Sequence, residues 1–119
     1  MTSTAKAQLE AAGIDVSGAL SRFMGNESLL ERFLKKFLTD ENYSHLQEAL
    51  SGNDLNGAIT AAHTLKGLCG NLSMTDLFEL FSRQVALFRN DDLAGGTAMM
   101  EEISQAYEKT VEAITAALL

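Results

Sequence analysis

The residues of this chain best placed to do chemistry are His63 and Lys66. They stand three positions apart in the run A-I-T-A-A-H-T-L-K-G-L-C-G-N-L-S-M from Ala58 to Met74. An imidazole offers a nucleophilic nitrogen near neutral pH. A lysine at i+3 on a helix lies within side-chain reach of the ring. Beside a neutral imidazole that lysine has no pairing to gain. Beside an imidazole that has accepted a phosphoryl group it meets an anion, and the pair becomes favourable. Other chemistries fit less well. The positions one turn from His63 are Ile59, Thr60, Lys66 and Gly67, none of them a metal ligand of the usual type. No carboxylate lies within a turn to orient the ring as in a catalytic triad. A general base needs a pocket, which an exposed helix face does not offer. The plain alternative is a solvated surface histidine, and that is the reading for the second one, His45, which has no evident partner.

The element that must position these groups is a helix. Apolar residues recur at Leu55, Ile59, Ala62, Leu65, Cys69 and Leu72, at steps of three or four. At roughly 100° per residue, Ala58, Ala61, Ala62, Leu65, Leu68, Cys69 and Leu72 gather on one side. His63 points roughly 150° from the middle of that cluster and should face water. Gly67 and Gly70 follow one and two turns later on the histidine's own side. Each costs about 0.5–1 kcal/mol of helix stability relative to alanine. Two glycines there bare the backbone, as close approach of another molecule to His63 would require.

The string His63-Thr64-Leu65-Lys66-Gly67, followed by Gly70-Asn71-Leu72, resembles the histidine-containing phosphotransfer (HPt) domain family, with its helical H-x-L-K-G and later N-[LI]-G. Asp15-Val16 through Phe23, Gly25-Asn26-Glu27, and Leu29 to Leu38 look like that family's N-terminal half. The resemblance implies a phosphocarrier rather than an autonomous enzyme. His63 would be the phosphoacceptor between receiver-domain aspartates, and Lys66 would stabilise the phosphoryl charge. Gly67, Gly70, Thr64 and Ile59 would form the face that a receiver approaches. The implied partners are response-regulator receiver domains and a hybrid sensor histidine kinase, from which this chain could also have been excised. No cofactor or metal of its own is implied; Mg²⁺ would belong to the receiver. A monomer in the cytoplasm is expected. A helical adaptor that binds a receiver without phosphotransfer is the competing reading. Two departures stand out. Ser73 occupies a position where the family usually has glycine. Gln84-Val85 stands where it commonly has leucine-glutamate, and Val85 cannot hydrogen-bond to orient His63.

Composition agrees with a carrier of this kind. The 119 residues suit one domain with one core, residues 1–119, and 46% are hydrophobic. There is no proline to interrupt long helices. A net charge of −7 argues against nucleic-acid binding through phosphates. That charge is uneven: −2 over residues 1–52, zero over 53–72 and −5 over 73–119. The histidine helix is thus the least acidic part, as suits a phosphoryl acceptor. The one cysteine excludes an internal disulfide framework. No membrane span or signal-peptide apolar region is apparent.

In chain order, the pattern predicts a short helix from Thr2 to Ala12 with Gly13 at its C-terminal cap. A second short turn capped by Asp15 or Ser17 should run to Phe23 and end at Gly25-Asn26. Residues 27–51 read as the first long helix, entered through a capping box at Ser28–Glu31 and loosened by the polar run Asp40 to Ser44. Asn53 or Asp54 should cap the histidine helix, and Asn71 should take the left-handed conformation that ends it. Residues 74–90 form the next helix, with Met74, Leu77, Phe81, Val85 and Phe88 turned inward and a box-like start at Ser73–Asp76. A last helix follows Asn90-Asp91-Asp92, weakened at Gly95 and Gly96. The predicted fold is therefore all-α, an antiparallel up-down four-helix bundle with a short N-terminal helical segment capping one end.

Overall fold

The computed structural model describes all 119 residues, in eight helices. These are α1 (Ser3–Ala11), α2 (Val16–Arg22), α3 (Glu27–Phe37), α4 (Asn42–Ser51), α5 (Leu55–Asn71), α6 (Thr75–Arg89), α7 (Leu93–Ala98) and α8 (Met100–Leu118). α5 packs on α4 and on α6 across three-residue turns, which makes these neighbours antiparallel. α8 closes the group by packing on α6, α3 and α1. Four positions of an up-down bundle are thus filled, by α3 with α4, by α5, by α6, and by α7 with α8.

Two of the long helices expected from the sequence are broken. Residues 27–51 split between Phe37 and Asn42 because polar side chains there compete with the backbone ladder. Thr39 Oγ1 donates to the Lys36 carbonyl at 3.0 Å, and Asp40 Oδ1 accepts from the Asn42 amide at 2.9 Å. The first long helix also begins differently. Asn26, not Ser28, is its cap, with Oδ1 accepting from the Leu29 amide at 3.1 Å. In the last helix the break falls at Met99, after Gly95 and Gly96.

The same comparison at helix ends favours carboxylates. Asp15, Asp54 and Asp92 each accept from the amide three residues on, at 3.1, 3.0 and 2.8 Å. α5 ends with Ser73, not Asn71, in the left-handed region, at φ 53°. A side chain there costs roughly 1–2 kcal/mol relative to glycine, which accounts for glycine being usual at this position. No capping box opens α6. The Thr75 amide is instead satisfied by the Gly13 carbonyl at 3.0 Å, and the Asp15 amide donates to the Ser73 carbonyl at 2.8 Å. This pairing, centred on Ile14 and Met74, fastens the α1–α2 connection across the α5–α6 turn. The N-terminal segment closes that end of the bundle, while α1 itself lies along α8.

One buried cluster runs through the molecule and includes Leu9, Leu34, Phe37, Leu65, Phe81, Phe88, Ile103 and Ile114. Met74, Leu77, Phe81, Val85 and Phe88 all face it, as their spacing predicts. Two features of its α6–α7 wall were not legible. Gln84 is fully buried, its Nε2 donating to the Gly96 carbonyl at 3.0 Å, while its Oε1 has no partner. Gly96 lies against Phe88 so closely that a Cβ would overlap the ring. Gly96 is therefore a packing residue rather than a weak point. Helix propensity alone predicts that Gly96→Ala stabilises the fold by about 0.5–1 kcal/mol. Overpacking reverses the sign, with an expected loss of about 1–3 kcal/mol. Urea denaturation of the alanine variant distinguishes the two, and a raised midpoint would show that Phe88 moves aside freely.

Candidate functional site

α5 divides into two faces, as its periodicity requires. Ala58, Ala61, Ala62, Leu65, Cys69 and Leu72 are buried, and Leu68 is half-buried against the core. Burial pushes the Cys69 thiol up to about 12, so it stays protonated and unreactive. The helix starts firmly at Asp54, which fixes the rotation of every later residue about its axis.

His63 is exposed on the opposite side, and no side chain or backbone group of the protein hydrogen-bonds its ring. Val85, at the position where a polar side chain was expected to matter, is buried in the core and offers the imidazole nothing. The ring is thereby free to rotate toward an incoming group. Lys66 is partly buried and has no acidic partner within the protein, so its ammonium is not committed to an internal ion pair. Thr64 is exposed, but its hydroxyl donates to the Thr60 carbonyl at 2.9 Å. Ile59 is half-buried against the core and presents only an edge.

The two glycines differ. A Cβ at Gly67 would meet nothing within 4 Å, so the backbone one turn beyond His63 is bare. At Gly70 a Cβ would lie 3.1 Å from Cδ1 and Cε1 of Phe78. The expectation that both glycines bare the backbone is corrected here: the second is overlain by an aromatic ring from α6. His45 lies on α4, in a shallow groove between α4 and α5 with Glu48 and Thr60. Gly67 and Gly70 also line a cavity of about 930 Å³ whose other walls include Arg22, Ser73, Phe78 and Ser82. Arg22 Nε donates to Ser73 Oγ at 3.3 Å across one side of it. Periodicity held one signal of this cavity, because Phe78 is an aromatic lying off the buried stripe of α6. The part played by α2 comes from a tertiary contact and left no local trace.

Residues 28–117 match the family model described as the Hpt domain. The chain belongs to the Hpt domain family. Hpt domains serve histidine phosphotransfer in phosphorelays, interact with receiver domains and kinases, and are phosphocarriers rather than enzymes. The match takes in α4 to α7 whole, nearly all of α3 and α8, and the entire His63 face. The N-terminal stretch from Asp15 to Glu27, which also looked like the family, lies outside the matched residues. No curated protein and no solved structure matches the chain. No helix of this Hpt domain is long and apolar enough to cross a membrane.

Proposed function

We propose that this Hpt domain carries a phosphoryl group between aspartates of receiver domains through His63. The observation that carries the reading is the exposed, unpartnered imidazole of His63 beside a bare turn at Gly67. A neutral ring nitrogen uses its lone pair to form an N–P bond. The P–O bond to the aspartyl carboxylate breaks as it forms, and the carboxylate leaves with the electron pair. Transfer onward reverses these roles at a second aspartate. The accepting nitrogen is Nε2, the outer of the two ring atoms. Such a transfer requires positioning and charge stabilisation more than covalent help from the protein. Lys66 supplies one positive charge toward the transferring oxygens. The receiver supplies the acidic cluster and its Mg²⁺. The partners include a hybrid sensor kinase, and the domain works as a cytoplasmic monomer.

Incubation with a ³²P-phosphorylated receiver tests this. Label should move to an adduct that is labile in acid and stable in base, the signature of phosphohistidine. A receiver that binds without passing label would favour the adaptor reading instead. Lys66 gives a second test. Lys66→Ala is expected to slow transfer about five-fold, the equivalent of a partly exposed charge contact of about 1 kcal/mol. The difference from wild type should shrink as salt is raised. Equal rates in both proteins at every salt concentration would reduce Lys66 to a solvated side chain.

A further inference from the structure

We infer that Phe78 is the apolar anchor onto which the receiver docks, within the cavity that adjoins the His63 face; this rests on the phosphotransfer reading above. Phe78 is 40% exposed, although its neighbours Leu77 and Phe81 on α6 are buried. Its ring is held against α5 by the missing side chain of Gly70, where a Cβ would stand 3.1 Å from two ring atoms. The glycine therefore lets an aromatic face lie in the α5–α6 groove instead of being lifted from it. The other large exposed apolar side chains are Met24, Phe33 and Leu119, and none of them lines this cavity.

Continuity with the transfer face identifies the occupant. Gly67 belongs both to the turn beyond His63 and to the cavity wall. Gly70 follows His63 by seven residues, about 10 Å along the helix axis. A partner seated on His63 with an ordinary footprint of about 800 Å² covers a radius of about 16 Å. Such a body covers Gly70 and the ring above it. In the other direction along α5 the exposed side chains are the polar Asn56 and Thr60, with only an edge of Ile59. Along α5 the apolar part of the interface then lies toward Phe78. Aromatic side chains in such positions carry a disproportionate share of binding energy. The opposite wall comes from α2, through Ser21 and Arg22, outside the residues that match the family model. Phe78 thus supplies the anchor, and α2 shapes what fits beside it.

The test uses the whole chain and whichever receiver of the source genome passes label fastest to the wild type. Transfer rates are measured over a range of receiver concentrations, with phosphoramidate as a second, small phosphodonor that needs no docking surface. In Phe78→Ala the KM for the receiver should rise about ten-fold, and the ratio of receiver-driven to phosphoramidate-driven labelling should fall in step. Phe78→Leu should restore most of it, and Phe78→Glu should be worse than alanine. Melting curves on each variant separate docking from folding. An unchanged KM in folded Phe78→Ala and Phe78→Glu overturns the inference while leaving phosphotransfer intact. A wild type that accepts label from phosphoramidate but from no receiver overturns the phosphotransfer reading itself, and this one with it.

Discussion

His63→Gln is expected to abolish acceptance of label from a phosphorylated receiver while leaving stability within about 0.5 kcal/mol of wild type. Glutamine has a polar amide of similar reach, but its nitrogen lone pair is delocalised and forms no stable N–P bond. The small stability change follows from exposure, since His63 lies outside the buried core and its ring makes no internal hydrogen bond. His45→Gln is the matched control. It also lies on the surface, between α4 and α5, and should transfer at the wild-type rate. Single-turnover labelling and urea denaturation of the two variants give both quantities. Residual label on His63→Gln, or loss of label in His45→Gln, would move the acceptor elsewhere.

At Gly67 stability and activity should part company. Gly67→Ala adds about 0.5–1 kcal/mol of helix propensity, and its new Cβ meets nothing within 4 Å, so the fold should become more stable. The same methyl group stands one turn beyond His63, where the proposed transfer brings a receiver close to the backbone. Transfer should therefore slow by about ten-fold, and Gly67→Gln should nearly stop it. Gain in one quantity and loss in the other is the mark of a residue kept for function at some cost to the fold. A destabilised alanine variant with unchanged transfer would assign Gly67 to packing. Gly96 is the internal comparison, because propensity favours alanine equally there while the Phe88 ring forbids it. Two helical glycines thus have opposite expected signs, and only the space around each one decides.

Much of this was legible from spacing. The 3.6-residue period of α5 placed His63 outward and Leu65 inward, because a continuous helix transmits its phase from end to end. The carboxylate caps were readable for a similar reason, since a cap acts on an amide three residues away. What escaped were mostly effects set by distant chain segments. Ser73 escaped for a different reason: it takes the left-handed conformation of a local helix-closing turn, in which the Met74 amide donates to the Cys69 carbonyl at 2.9 Å, and serine carries no signal for that conformation. Gly70 looked like Gly67 in sequence, yet the ring of Phe78 gives it a different surrounding. Gln84 drew notice only as part of a departure from the family pattern, and the close approach of α7 at Gly96, which buries it, comes from a tertiary contact.

The pairing of Gly13 to Asp15 with Ser73 to Thr75 has a consequence for how the domain opens. The amides of Asp15 and Thr75 lie outside any helix's own hydrogen-bond ladder, so fraying of α2 or α6 does not by itself release them. Their exchange with deuterium requires the N-terminal segment to lift away from the α5–α6 turn as a unit. Such lifting would also remove the α2 wall of the cavity and leave the histidine helix anchored only by its own neighbours. Protection of those two amides therefore measures the free energy that keeps the docking cavity assembled, independently of the free energy that keeps the bundle folded.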